Sequence, residues 1–432
     1  MQKIAVPSVC TFLHLLHLST QSGVAAVDSD FSQHSQTEHF SNECEFARDG
    51  RPFWFGKCIY SLQMGHYRKH CISFLMSSTC NLDCTYCYVP HWGNTVDPCD
   101  RTIDLEFAVA GMKEFFSWAP KPAIRFFAAG EPTVGFKRMT EIVEEGRKLV
   151  GDKLQVELQT NGFFNGTIAD WVDQNINILW ISCDGPPTLQ DVQRPAVNGR
   201  ASSPVVEKNI RRFAAHPKMQ FGCRATFLTD NFNRQIEVLD YFRSLGVKYV
   251  CGAPAYSSTV NEKTPVPMLV RFAQEFVPAF YHAQEKGQFY QTHLMVNFDE
   301  EVDSYCRACT TPVCPQLTSD GHVSCCDWAC FGQKYLTGVL EDLVYGKWDK
   351  EKKEILYNPE RKTKIEARNV KTLGEGDCKG CSIIKHCAGG CIGKVMVRSN
   401  GLHKMDPNWC QATRYLAEHI PQNTGLYPVN HS

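Results

Sequence analysis

The sequence predicts an α/β fold in which a partial (β/α)6 barrel precedes a C-terminal cysteine-rich region. Between residues 70 and 286, six short apolar runs of strand length alternate with longer amphipathic runs of helix length. Such alternation predicts a parallel sheet covered by helices. After about residue 290 the alternation ends, cysteines become frequent and regular elements become short. We therefore expect this region to depend on bound metal and to have little hydrophobic core of its own.

The pattern assigns each element a place along the chain. The strand candidates are 70–77, 123–129, 153–160, 178–183, 221–228 and 248–254, and the helix candidates are 103–117, 137–149, 167–174, 204–215, 233–244 and 267–286. We expect three parts: a partly disordered lead-in over 1–66, the barrel over 67–290 and the cysteine-rich domain over 291–432. Much of the lead-in is polar and lacks apolar periodicity, which is typical of mobile segments.

Composition narrows the function classes. The chain of 432 residues is 43% hydrophobic and 21% charged, which is ordinary for a globular protein. A net charge of −1 without a long basic run gives little support to nucleic-acid binding. Residues 4–17 are apolar but interrupted by Pro7, His14 and His17, which disfavours an export signal, and no run suits a membrane span. We expect a reduced cytoplasmic protein, in which closely spaced cysteines bind metal or catalyse.

The first cysteine group is Cys80, Cys84 and Cys87, in the run CNLDCTYC. Three thiolates can hold three irons of a [4Fe–4S] cube and leave the fourth iron open to a substrate or cosubstrate. The group begins three residues after the first strand candidate, where a β/α barrel places its chemistry. Position and residue type both predict a reactive cluster.

The second cysteine group lies near the C-terminus. It comprises Cys309, Cys314, Cys326, Cys378, Cys381, Cys387, Cys391 and Cys410. Four thiolates close a cube completely, so that it can only carry electrons or support the fold. Tetrahedral zinc is the alternative, and spacing alone leaves two zinc sites and two cubes both open. Cys306 and Cys325 compete with Cys309 and Cys326 as ligands, and Cys330 is unassigned.

These motifs resemble a known family. Cys80-x3-Cys84-x2-Cys87, with Tyr86 before the third cysteine, resembles the signature of radical S-adenosylmethionine (SAM) enzymes, and the later cysteines resemble the SPASM extension of that superfamily. The resemblance implies one SAM-binding [4Fe–4S] cluster, two auxiliary clusters and a 5′-deoxyadenosyl radical that removes hydrogen from a substrate. It also implies a ligand partition. The inner auxiliary cluster would take Cys309, Cys314, Cys326 and Cys391, and the outer one Cys378, Cys381, Cys387 and Cys410.

The ends of later strand candidates supply cosubstrate contacts by the same resemblance. Ala129-Gly130-Glu131-Pro132 is similar to the family's Gly-Gly-Glu-Pro motif, with alanine replacing the first glycine. Gly130 would let backbone approach the methionine ammonium, and Glu131 would hydrogen-bond near it. The alternative for these residues is a plain strand-to-helix turn.

The third and fourth strand candidates end on further polar residues. Asn161 lies in the turn after the third, and Ser182 and Asp184 end the fourth as candidates for ribose hydroxyls. Arg194 stands at the spacing where related enzymes place an arginine on the methionine carboxylate. Ordinary turn or surface structure is the alternative for each of them.

The function expected from the resemblance is modification of a ribosomally made peptide, by cross-linking or by side-chain oxidation. Asp327 directly follows Cys326, at the place where sulfatase-maturating relatives have the proposed proton acceptor, so general-base work is expected of it. The alternative is that Asp327 is only an exposed acidic residue in a loop. Expected partners are a peptide or protein substrate and a low-potential electron donor such as flavodoxin or ferredoxin, with no nucleic acid and no membrane.

Three other functions remain open at this point. A sulfatase-maturating, formylglycine-forming enzyme is favoured by Asp327 and disfavoured by the long lead-in and by Val89, where those relatives usually carry tyrosine. A small-molecule dehydrogenase usually keeps one auxiliary cluster. A non-enzymatic iron–sulfur or zinc scaffold would not need polar residues at successive strand ends.

Overall fold

The fold is organised around one large sheet. The computed structural model describes residues 71–87, 97, 101–127, 129–255, 269–296, 298, 301, 315–331 and 338–420. Within these residues the sheet has eleven strands in the order β11-β10-β9-β8-β1-β2-β3-β4-β5-β6-β7. The strands are β1 Ile72–Leu75, β2 Ala123–Phe126, β3 Gln155–Thr160, β4 Ile178–Ser182, β5 Gln220–Phe227, β6 Tyr249–Pro254, β7 Phe289–Gln291, β8 Gln316–Thr318, β9 His322–Ser324, β10 Val344–Asp349 and β11 Glu354–Tyr357. The predicted lead-in over 1–66 lies outside the described residues.

Helices lie between the successive parallel strands β1 to β7 and after the last strand. They are α1 Leu105–Trp118, α2 Phe136–Val150, α3 Gly166–Asn175, α4 Pro187–Gln193, α5 Ser203–Ala214, α6 Gln235–Ser244, α7 Leu269–Glu285, α8 Pro359–Glu366, α9 Val370–Glu375, α10 Ile384–Cys387, α11 Ile392–Ser399 and α12 Pro407–His419. The six predicted strands and six predicted helices are confirmed, and no end differs by more than three residues. Strands β1 to β7 are parallel to their neighbours, as β/α alternation requires. In the described residues, no helix is both long and apolar enough to cross a membrane.

Strand alternation separates an apolar outer face from a polar lumen. Phe74 and Phe126 pack with Phe107 of α1 in the main hydrophobic core. Because successive side chains in a strand point to opposite faces, the residues between them face the other way. These include Ser73 and Arg125, which are register partners on β1 and β2. The outer face therefore holds the helices, and the inner face is available for chemistry.

The cysteine-rich region continues the barrel sheet. Strand β8 lies parallel to β1, with Phe74 opposite Leu317, and β9, β10 and β11 follow in antiparallel order. Leu317, Trp348 and Trp409 belong to the same buried cluster as the barrel core. Buried residues of this region therefore join the core of the barrel. The domain boundaries at 67 and 291 stay predictions.

Candidate functional site

The first three cysteines lie on a loop at the C-terminal end of β1. Cys80 is exposed, and Cys84 and Cys87 are half-buried. Backbone contacts hold the loop against the segment after α4: the amide of Asp83 donates to the carbonyl of Pro195 at 2.8 Å, and that of Thr85 donates to Gln193 at 3.0 Å. Main-chain hydrogen bonds thus help to shape the loop that carries the three thiols.

A buried carboxylate ties this loop to the end of β4. Asp184 is 1% exposed, and its Oδ2 accepts from the hydroxyl of Tyr86 at 2.7 Å and from Nε2 of Gln193 at 2.7 Å. Its Oδ1 accepts from the amide of Thr226 at 2.9 Å and lies 3.0 Å from Nε of Arg194. Asp184 therefore holds three parts of the site together, and the idea that it binds ribose stays a prediction.

Two strand ends reach the cysteine sulfurs. Nδ2 of Asn161 lies 3.8 Å from Sγ of Cys80 and donates to Oδ1 of Asn81 at 2.7 Å. Nη1 of Arg194 lies 3.8 Å from Sγ of Cys84. The structure thus brings Asn161 and Arg194 to the first cysteine group. Ser182 is half-buried at the end of β4, with its side chain on the lumen face.

Glu131 is completely enclosed by donors from its own chain. Its Oε1 accepts from the amide and hydroxyl of Thr133 and from the hydroxyl of Thr160, at 3.0, 2.7 and 2.6 Å, and its Oε2 accepts from the amide of Asn161 at 2.7 Å. Burial raises the pKa of the carboxyl, and these hydrogen bonds act in the opposite direction. Glu131 joins the ends of β2 and β3, and its predicted cosubstrate contact stays a prediction.

The turn before Glu131 requires a residue without a side chain. Gly130 has φ +120°, and a Cβ placed there would lie 2.6 Å from the carbonyl oxygens of both Ser77 and Thr79. Glycine is therefore needed for the close approach of this turn to the cysteine loop. Ala129, which replaces a glycine of the family motif, has φ 56° and a buried methyl group.

The pKa of a thiol in the cysteine loop depends on burial and on one nearby cation, Arg194. Burial raises the pKa of the Cys84 thiol to about 12, and the guanidinium of Arg194 opposes that shift. Burial also disfavours the charge of Arg194, but Asp184, Tyr86 and Cys84 together raise the pKa of Arg194 well above its usual value. Since a ligating thiol must be deprotonated, Arg194 favours the form of Cys84 that binds iron.

The four predicted outer ligands lie together near the C-terminus. Burial raises the pKa of Cys378 to about 11 and that of Cys410 to about 12, and in both cases the Cys387 and Cys381 thiols raise it further. Arg414 hydrogen-bonds Cys381 and has a raised pKa as a result. Across the described part of the chain, no three His, Cys, Asp or Glu side chains converge closely enough for a single metal ion.

Half of the predicted inner set can be placed. Cys326 is buried after β9, and a Cβ at Gly393 in α11 would lie 2.6 Å from its Sγ. Cys391 is the N-cap of the same helix, so both Cys326 and Cys391 lie at the start of α11. The competitor Cys325 is also buried. Cys306, Cys309 and Cys314 lie outside the described residues, and the inner ligand set stays a prediction.

The structure adds a residue that sequence reasoning left unassigned. Cys330 is fully buried in a small cluster with Leu75, Phe127, Ala129 and Phe331. Its pKa is raised well above its usual value, first by burial and then by the half-buried Asp327, with a further contribution from Cys87. Cys330 thus packs on Phe127 and Ala129, which follow β2. Its position four residues after Cys326 was the only signal in the sequence.

Comparison with known proteins identifies the barrel. Residues 74–269 match the Radical SAM superfamily. The chain contains a radical SAM domain. This match supports enzyme activity, implies a [4Fe–4S] cluster and S-adenosylmethionine, and removes the non-enzymatic scaffold.

The chain is also similar to individual proteins over most of its length. It is 23% identical over 331 residues to the cysteine-type anaerobic sulfatase-maturating enzyme of Clostridium perfringens, covering 73% of this chain and 86% of the relative. The solved structure of anSMEcpe with bound AdoMet superposes with a TM-score of 0.62 at 20% identity, over 81% of this chain and 96% of that one. Streptococcus suis SuiB bound to precursor peptide SuiA gives 0.53 at 16% identity, over 78% and 75%. The two structures support the fold, including the partial barrel.

The residues of the first site fit the cofactors that the family implies. Three thiols share one loop at the C-terminal edge of the parallel sheet, and two nitrogen donors lie at their sulfurs. The Gly130 turn brings backbone within a distance that no side chain tolerates. Thiolates with an adjacent backbone turn suit an iron–sulfur cluster beside a small zwitterionic cosubstrate.

Proposed function

We propose that this radical SAM enzyme modifies a ribosomally made peptide by cross-linking or oxidising one of its side chains. The observation that carries the proposal is the place of Asp327. This carboxylate follows Cys326 in the chain, and its Oδ1 lies 3.8 Å from Sγ of Cys326. A base beside a proposed cluster ligand suits a reaction that removes a proton as well as an electron.

The cofactor complement in this proposal is three [4Fe–4S] clusters and S-adenosylmethionine. Cys80, Cys84 and Cys87 would hold the SAM-binding cluster, and the eight later cysteines would hold two auxiliary clusters. When bound, these groups supply a 5′-deoxyadenosyl radical that removes a hydrogen atom and a route for a second electron. Reduction requires a low-potential donor, for which flavodoxin or ferredoxin is proposed.

The chain's own residues prepare this chemistry. Tyr86, Asp184 and Arg194 orient the cysteine loop, and Asn161 holds the Cys80 side of it. Gly130 allows backbone to approach the methionine ammonium, and Arg194 and Ser182 are the proposed contacts for the carboxylate and the ribose. Oxidation removes two hydrogens from a side chain, the first as an atom and the second as a proton and an electron. Asp327 is the proposed acceptor of that proton.

A peptide substrate is supported by relatives of the same fold. The solved structures include anSMEcpe with bound Kp18Cys peptide and SuiB with its precursor peptide. Formylglycine formation on a sulfatase is the second candidate, because the curated relatives with the longest matches are sulfatase-maturating enzymes. Asp327 supports both reactions equally, since both are oxidations.

Mass spectrometry distinguishes the candidates. The anaerobically reconstituted chain is incubated with S-adenosylmethionine, a reductant and short peptides encoded beside its gene. A product lighter by two hydrogen atoms and without an aldehyde supports cross-linking or oxidation, whereas an aldehyde formed from a cysteine with loss of sulfur, or from a serine with loss of two hydrogen atoms, supports formylglycine formation. The Cys80/Cys84/Cys87 triple-alanine variant is the control. Unmodified peptides together with modification of a small molecule would contradict the proposal.

A further inference from the structure

The lumen of the barrel contains a buried cation with unused donors. Arg125 on β2 is 1% exposed, and its Nε donates to the hydroxyl of Ser73 at 3.1 Å. Its guanidinium lies over the ring of Phe127, with Cζ 4.0 Å from the ring centroid. Nη1 and Nη2 are buried and have no hydrogen-bond partner among the described residues. The Nε hydrogen bond and the stacking on Phe127 therefore hold the side chain, and the edge formed by Nη1 and Nη2 has no hydrogen-bond partner among the described residues.

The Nη edge lies beside a row of hydrogen-bonded polar side chains, the polar belt, formed by Glu157, Gln159, Arg224 and His293. Next to Arg125 in the register is Glu157, whose Oε1 accepts from Nε2 of Gln159 at 2.9 Å. Oε1 of Gln159 accepts from Nη1 of Arg224 at 2.7 Å, and Nη2 of Arg224 lies 3.1 Å from Nε2 of His293. Each of these residues is engaged by a neighbour along the belt. Both Nη atoms of Arg125, in contrast, lack a hydrogen-bond partner among the described residues.

Because the Nη edge is buried, its lack of hydrogen-bond partners has an energetic cost. A guanidinium keeps its charge inside a protein, and a buried charge without hydrogen-bond partners is costly. Two parallel N–H donors on one edge match the two oxygens of a carboxylate, which Arg binds in a bidentate manner. Arg224 is half-buried although it faces the lumen, so the belt reaches solvent on that side. An anionic group entering the barrel would complete the belt.

We propose that the Nη edge of Arg125 binds a carboxylate of the substrate inside the barrel. The inference rests on the proposed function and deepens it, because it gives the substrate class as a peptide that presents a carboxylate to the lumen. That carboxylate is either a Glu or Asp side chain or the C-terminus of the peptide. The stacking of Arg125 on Phe127 places this contact next to the cluster that contains Cys330.

Thermal unfolding of the full, anaerobically reconstituted chain tests the site without requiring turnover. The probes are N-acetylglutamate α-amide for a side chain, N-acetylalanine for a C-terminus and the neutral N-acetylglutamine amide as control. A ligand that binds only the folded state raises the melting temperature with concentration. We expect at least one acidic probe to raise that of the wild type, and which probe does so identifies the source of the carboxylate. The neutral probe should have no effect.

Two substitutions locate the effect. Arg125→Met should abolish the shift while leaving the probe-free melting temperature equal or higher, because it removes an unmatched buried charge. Arg243→Met, on the exposed face of α6, is the matched control and should keep the shift. If Arg125→Met does not fold, Arg125→Lys carries the test, and its apparent probe affinity should fall at least tenfold because lysine lacks the planar fork.

Several outcomes would overturn the proposal. They are no shift in the wild type, an equal shift with the neutral probe, an equal shift in Arg125→Met, or unchanged affinity in Arg125→Lys. Failure of peptide modification, by contrast, leaves these probe measurements unaffected. The two proposals can therefore fail separately.

Discussion

The hydroxyl of Tyr86 donates to Oδ2 of Asp184 at 2.7 Å, across 98 residues of sequence. This hydrogen bond joins the cysteine loop after β1 to the end of β4. On the other carboxylate oxygen, Asp184 pairs with Arg194, whose Nη1 lies near the sulfur of Cys84. A single buried carboxylate thus sets the geometry of the loop from two directions.

Replacing Asp184 with Asn should destabilise the protein strongly. The substitution leaves Arg194 as a buried charge without its counter-ion, and breaking a buried pair in this way costs about 3–5 kcal/mol. Asp173→Asn is the control, since its pair with Arg212 is exposed and worth about 0–1 kcal/mol. The measurement is the free energy of unfolding in urea. Similar losses in the two variants would show that Asp184 does not have the role assigned to it.

Gly130→Ala should damage the cysteine loop. The new methyl group would lie 2.6 Å from two backbone carbonyls, so the loop must move. We expect iron incorporation to fall several-fold and stability to fall by about 2 kcal/mol or more, since strained backbone alone costs about 1–3 kcal/mol. Gly287→Ala also has positive φ, at +70°, but its Cβ meets nothing within 4 Å. If both variants lose iron equally, the close approach at Gly130 is not the cause.

Iron content tests the number of clusters. We expect about twelve irons per chain in the reconstituted protein and about eight in the Cys80/Cys84/Cys87 triple-alanine variant, because four irons make one cube. Mössbauer spectra and sulfide content measure this. The variant should also lose all cleavage of S-adenosylmethionine. Full cleavage in the variant, or about four irons with zinc in the wild type, would contradict the assignment.

Asp327→Asn should separate cosubstrate cleavage from product formation. An amide cannot accept the proton that a general base takes, and such catalysis contributes about 10²–10⁴-fold in rate. We therefore expect normal cleavage of S-adenosylmethionine and a product rate lower by about a hundredfold. Asp349→Asn, on the surface end of β10, is the control. An unchanged product rate would remove Asp327 from the mechanism.

Much of the barrel could be predicted because its signal is local. Apolar runs such as 70–77 are buried on the outer face by helices that follow directly in the chain, so burial and sequence order coincide. The C-terminal strands could not be predicted in this way. Strands β8 and β9 have three residues each, and β8 is defined by pairing with β1, which lies far away in sequence. A strand of three residues is too short to show a periodic pattern. Its pairing with a strand far away in the sequence leaves no local signal either.

At the site, the residue types could be predicted from the sequence, but their hydrogen-bond and ion-pair partners could not. Cysteine spacing identified Cys80, Cys84 and Cys87 because iron–sulfur ligands must be thiolates at suitable separations. Asp184 was expected on ribose, yet its oxygens accept from Tyr86, Gln193 and Thr226. Arg125 gave no signal, because a charged residue in a strand of mainly apolar residues carries no information about the face it occupies.

The sequence by itself determined the kind of chemistry and the order of the barrel elements. Both depend on residues close together along the chain: thiolate spacing within a loop, and periodicity within a strand or helix. Only the tertiary structure decided which side chains form ion pairs, form hydrogen bonds or pack on the same buried face. Those contacts join strands β1 to β5 and the region after residue 315, and they exist because parallel strands end at one edge of the sheet and face one lumen.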